Sequence, residues 1–163
     1  MRLVGALALA FLFWPCQPTA DAQSAPAKKR DPNDSAFAAM QRRGKQAMGV
    51  DQYTSTHRFD ELPDGGIIRL VRDTDDSAGV AQIRAHLRAE ARAFSAGDFS
   101  TPEFVHMQTV PGSKVMAAKR AVISYTPLDV PRGAELRITT HDAEALVAIH
   151  KFLAFQRTEH HAM

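Results

Sequence analysis

Ile68-Arg69-Leu70 and Leu136-Arg137-Ile138 stand 68 residues apart, and each closely follows a Pro-x-Gly turn, Pro63-Asp64-Gly65 in one case and Pro131-Arg132-Gly133 in the other. Upstream of the first turn, Tyr53, Ser55, His57 and Phe59 alternate with Thr54, Thr56 and Arg58, the period of a half-buried strand. Upstream of the second, Ile123 and Tyr125 alternate in the same way. Each return strand leads into a helical pattern. After caps offered between Asp73 and Ser77, the first helix carries Val80, Ile83, Leu87, Ala91 and Phe94 on its apolar side. After Asp142, the second carries Ala145, Leu146, Ile149 and Leu153. The chain therefore reads as α+β: two tandem β-β-α units, about residues 51–96 and 120–161, forming one antiparallel four-stranded sheet with both helices packed on one face. One such unit buries its sheet face poorly, so pairing two is the economical solution. The pattern leaves open the strand order and whether the units pair within one chain or swap between chains.

Working outward, the chain begins with a short positive start (Met1-Arg2), an apolar run from Leu3 to Trp14 and Ala20-Asp21-Ala22, the pattern of a cleavable export signal over residues 1–22. The run is too short to span a bilayer as a helix. The single cysteine, Cys16, lies inside that segment. The expected product is a periplasmic or secreted protein beginning at Gln23, without thiolate or disulfide and held together by packing alone. Residues 23–33, with Lys28-Lys29-Arg30 among Ala, Ser, Pro and Asp, read as a flexible leader, and residues 34–163 as one domain. Asp34 is placed to cap a short helix bearing Phe37 and Met40 and ending near Gly44. A net charge of +2 gives no electrostatic case for nucleic acid.

Chemistry has to be sought among seven histidines and six methionines. With the helices aligned at an offset of 64, His86 falls opposite His150, each at the border of its apolar stripe. Two readings compete: border imidazoles packed as amphipathic fillers, or imidazoles presented to one shared site. His57, on the strand face of Phe59, either reaches that site or packs beneath the helices. Between the units, Thr101-Pro102-Glu103 resembles a helix start with proline at its first position, leading to His106 and then to Met116 beyond Val110-Pro111-Gly112. Imidazole suits either copper state and thioether favours Cu(I), which makes His57, His86, His106 and His150, with Met48 or Met116, a candidate copper ligand set. Methionine is also ordinary core filler. The tail His160-His161 and the loop residue His141 carry less weight, since nothing nearby in sequence completes a shell.

Other chemistries are missing their patterns. There is no H-E-x-x-H, no G-x-S-x-G elbow, no phosphate-cradling glycine loop and no C-x-x-C-H for covalent haem.

Met48-Gly49-Val50-Asp51-Gln52 with Thr56-His57-x-Phe59, Ile83-Arg84-x-His86-Leu87, Gly97-Asp98-Phe99-x-x-Pro102, Pro111-Gly112 with Met116, and Ile149-His150-x-Phe152-Leu153-x-x-Gln156 together resemble a family of small exported bacterial proteins of uncharacterised activity. The resemblance spans about residues 44–161 and implies a compact exported domain, with no activity to transfer.

The expectation is a periplasmic metal-binding protein, its ion copper, acting in storage, delivery or detoxification with a periplasmic protein partner. Two alternatives stand beside it. One is a non-catalytic module gripping a protein or small ligand, its histidines structural. The other is a hydrolase using His57 or His86 as general base near Asp51 or Asp73.

Overall fold

The computed structural model describes residues 35–50 and 52–162; the expected export signal, Cys16, the leader, the Asp34 cap and Asp51 lie outside them. Strands β1 (Ser55–Leu62) and β2 (Gly65–Arg72) form one hairpin, and β3 (Ile123–Val130) and β4 (Gly133–Thr140) the other. The second hairpin begins each strand 68 residues after the first, the offset visible in the sequence. Strand order is β1-β2-β4-β3, all neighbours antiparallel. At the β2–β4 seam, Ile68 lies opposite Leu136, its own counterpart at that offset, so a local two-fold axis passes between them. Tyr53 belongs to a 3-10 turn (Gln52–Thr54) ahead of β1, so the strand starts two residues later than the alternation suggests.

Period-two alternation puts His57, Phe59, Ile68, Leu70, Ala134, Leu136 and Ile138 on one buried face. The other face is polar, with Arg58–Asp60 at 3.3 Å and Arg69–Glu135 at 3.2 Å. Helices α2 (Ser77–Ala96) and α5 (Ala143–Glu159) both cover the buried face. They cross over: α2 lies mainly on β3 and β4, and α5 mainly on β1 and β2. Each hairpin is thus roofed chiefly by the other unit's helix. Ile83, Leu87, Ala91 and Phe94 of α2 and Ala145, Ile149, Phe152 and Leu153 of α5 are buried there, at about 1.5–3 kcal/mol for each large apolar side chain. Neither unit keeps that stabilisation without its neighbour.

The helices repeat at a different interval from the one their histidines suggest. Both are capped by aspartate: Gly79 N–H donates to Asp76 Oδ1 at 3.0 Å, and Ala145 N–H to Asp142 Oδ1 at 2.9 Å. These caps are 66 residues apart, as are the buried pairs Ile83/Ile149 and Leu87/Leu153. An offset of 64 is therefore corrected to 66, because caps and apolar stripes, which set how a helix sits, align only there. His86 then corresponds to Phe152, and His150 to Arg84. The last pair shares a task. Arg84 donates to the carbonyls of Val130 and Gly133 at 3.2 Å each, and His150 Nε2 to those of Leu62 and Gly65 at 3.0 and 3.1 Å.

Three shorter helices complete the domain: α1 (Ser35–Met48), α3 (Ser100–His106) and α4 (Ser113–Ala118). α1 does not stop at Gly44, which is buried within it; it stops at Gly49, whose φ of 80° places it in the left-handed region while its N–H bonds Lys45 O at 2.9 Å. α3 begins at Ser100, so Pro102 occupies its third position, where the first turn still needs no intrahelical donor. No helix among the described residues is long and apolar enough to cross a membrane.

Candidate functional site

β1, α2, α3 and α5 line a partly open cavity of about 70 Å³ against the buried sheet face. Its lining includes Met48 from the end of α1, His57 from β1, His86 and Glu90 from α2, Thr101 and His106 from α3, and Gln156 and His160 from the end of α5. Phe59, Phe94 and Phe152 supply much of the apolar wall. Sites for organic ligands run to about 300–1,000 Å³. This one has room for an ion or a few waters.

Of the sequence-derived candidates, the fold brings together His57, His86, His106 and Met48. His150 is elsewhere, beneath the β1–β2 turn, with its Nδ1 3.8 Å from Glu61 Oε2. Met116 is fully buried in the main core and does not line the cavity. His141 is exposed at the start of α5. Glu90, Thr101 and Gln156 are not among the sequence-derived ligand candidates, and His160 carries less weight there.

His57, His106 and His160 form the densest polar group. The His160 ring centroid lies 5.1 Å from that of His57, with 26° between planes, and 5.0 Å from that of His106, at 84°. Phe59 flanks His160 at 5.5 Å. His106 Nε2 is 2.9 Å from Gln156 Oε1; an amide oxygen only accepts, so Nε2 carries the proton and Nδ1 holds the lone pair. That Nδ1 is buried and has no hydrogen-bond partner among the described residues. Burial lowers the pKa of His106, a shift its Gln156 bond opposes. His160 is held well below the usual imidazole range, first by burial and then by its histidine neighbours. Burial brings His86 down to about 4. His86, His106 and His160 are therefore neutral imidazole at pH 7, the form that ligates without first losing a proton.

Glu90 moves the other way. Burial raises its carboxyl to about 7, opposed by a hydrogen bond from Thr101 and reinforced by the nearby Asp98. It is the one carboxyl lining the cavity, whereas Asp73 accepts from Thr56 Oγ1 at 2.7 Å at an exposed position. The expected pairing of a catalytic histidine with Asp73 is not what the cavity offers.

The local two-fold axis provides an internal comparison. At the strand offset of 68, His57 corresponds to Tyr125; at the helix offset of 66, His160 corresponds to Phe94. Tyr125 and Phe94 also touch, with centroids 5.7 Å apart at 65°, and Phe99 stacks on Phe94 at 4.5 Å. One half of the domain thus fills this place with aromatic hydrocarbon and phenol, the other with imidazole.

Among the described residues, no three His, Cys, Asp or Glu side chains are arranged to hold a metal ion. The near-parallel stack of His57 on His160 turns ring faces, not lone pairs, toward each other. No protein-family model, curated protein or solved structure matches the chain.

The placement of His150 carries its own test. His150→Ala removes a donor shared by two carbonyls and should cost about 1–2 kcal/mol in urea unfolding. An unchanged stability would mean that these two carbonyls do not depend on His150.

Proposed function

We propose that this protein binds a single copper ion in the cavity beneath β1, with His106 and His160 as nitrogen ligands, His57 beside them and the Met48 thioether at the edge. The observation that carries this reading is the exchange of hydrocarbon for imidazole between the two halves. Burying an imidazole takes two ring nitrogens out of water, a desolvation cost that a phenyl ring does not carry. The same scaffold position is filled by Phe94 in the other half, so packing does not require a histidine there.

Donor type and size narrow the guest. The cavity is too small for haem or another organic cofactor, and its donors are imidazole and thioether without thiolate. Such a set suits copper, the thioether favouring Cu(I). A monovalent closed-shell ion also asks for few ligands, and the buried lone pair of His106 Nδ1 supplies one. Binding would turn the His57 and His160 rings out of their stack. Gln156 would act by fixing the His106 tautomer, the role of an outer-shell partner. The export pattern at Leu3–Trp14 and Ala20-Asp21-Ala22 supports work in the periplasm or outside the cell, as storage, delivery to a protein partner or detoxification.

The ring stack favours a second reading, a binding module whose histidines are packing elements. Titration of the reduced protein with Cu(I) at pH 7.5, in competition with a chromogenic chelator, separates the two. The copper reading expects one ion per chain, retained in His161→Ala, weakened about 10–100-fold in Gln156→Leu and lost in the His106→Ala/His160→Ala double variant. Equal binding by wild type and the double variant would leave the histidines as packing.

A further inference from the structure

We infer that α1 is a hinged lid, and that the pocket it walls is the port through which a cation reaches the histidine cavity. The pocket, about 360 Å³, lies between α1 and the end of α5 and is lined by Phe37, Arg43, His106, Glu159 and His161 among others. His106 lines both this pocket and the histidine cavity. α1 is built to leave. Its buried Phe37 and Met40 do not join the main core; they form a separate small cluster with Val105. Its principal packing partner is the seven-residue α3, and its C-terminal end is the left-handed Gly49.

Contacts from two pocket-lining side chains help to hold it. Phe37 stacks on His161 at 4.6 Å with 5° between planes, and Arg43 Nε donates to Val105 O at 2.7 Å. The charges are ordered to match. Arg43 and Glu159, of opposite charge, both line the pocket with His106. Arg43 travels with α1 and Glu159 stays on α5, so opening removes the cation's repulsion and keeps its attraction. The role as port rests on the cavity being the cation site; the opening of α1 does not.

The test uses the metal-free full chain. Amide hydrogen exchange should be at least ~100-fold faster in α1 than in β2 and β4, as for a segment that opens without global unfolding. Phe37→Ala should speed both α1 exchange and carbethoxylation of His106 by roughly tenfold while leaving β2 and β4 unchanged. Should that variant fold poorly, Arg43→Met loosens the other latch and should act in the same direction. Exchange of α1 at the rate of the central strands, or His106 reactivity that ignores both variants, would overturn the lid. Neither readout involves copper, so failure of the copper reading leaves the lid intact, and the reverse.

Discussion

Gly65→Ala is expected to cost about 3–5 kcal/mol of folding stability and to lower the melting temperature by about 10–15 °C. Gly65 begins β2 immediately after the first turn, with φ at 146°. A Cβ built there would lie 2.0 Å from the carbonyl oxygen of Ile138 and 2.8 Å from its carbon. Both are backbone atoms of β4, so no side chain can swing aside. Relief requires β2 and β4 to separate at the end of the central seam, where Gly65 pairs with Thr139. It also displaces the Gly65 carbonyl that receives His150 Nε2. Gly49→Ala is the control. Its φ is also left-handed, at 80°, but the added Cβ would meet only the flexible Gln82 side chain at 3.3 Å. That variant should lose about 1 kcal/mol, the conformational penalty alone. Equal losses in the two variants, measured by thermal and urea unfolding, would mean that β4 does not press against Gly65.

The contrast between these glycines reflects what a sequence can display. Pro-x-Gly turns, strand alternation and the offset of 68 are local patterns with a fixed period, and they led to the hairpins and to the face carrying His57 and Phe59. The helix offset was harder. His86 and His150 are the same residue type near the middle of similar helices, which suggested 64. The interval of 66 is visible only when the caps Asp76 and Asp142 are aligned, and two residues rotate a helical position by about 200°. That rotation separates the expected histidine pair. His160 carries little weight in the sequence because nothing beside it there completes a shell. A signal was present all the same: Ile149, Leu153, Gln156 and His160 continue one helical stripe at spacings of four, three and four. What no local pattern contains is the contact of His106 with Gln156, 50 residues apart. It depends on α3 and α5 meeting at one end of the sheet, and with it goes the convergence of the cavity. The crossed roof, α2 on the second hairpin and α5 on the first, is likewise a consequence of sheet order, which the alternation of residues leaves open.

Stability of the metal-free protein should peak near pH 6.5 and fall on both sides, with different residues responsible for each limb. His86, His106 and His160 all have folded pKa values below the unfolded value of 6.5. A depressed histidine contributes stability that is fully present above 6.5 and is lost as pH falls from there toward the folded value, because the unfolded chain binds the proton first. For His86, with a folded value of about 4, the loss amounts to at most about 3 kcal/mol, since part of its ring still meets solvent. Each such proton steepens the acid limb by up to about 1.4 kcal/mol per pH unit. His160 and His106, 5.0 Å apart, add to it and penalise each other's charge. Glu90 has the opposite sign. Its folded value of about 7 lies above the unfolded 4.5, so its contribution is full below 4.5 and is lost as pH rises through 7, by about 3 kcal/mol in all. Between pH 6.5 and 4.5 Glu90 offsets roughly one histidine, and the remaining imidazoles make the net slope unfavourable toward acid. Urea midpoints from pH 4 to 9 should show the peak. Glu90→Gln should raise stability by about 2–3 kcal/mol above pH 8, leave it nearly unchanged at pH 4.5, and make the fall toward acid steeper. His160→Phe, which places in this half the residue that the other half carries at Phe94, should flatten the acid limb by about one proton's slope. A wild-type profile that stays level between pH 4 and 7 would show that these imidazoles take up protons without cost. They would then be hydrated when the protein is folded, and a dry cluster of neutral ligands under β1 would have to be abandoned.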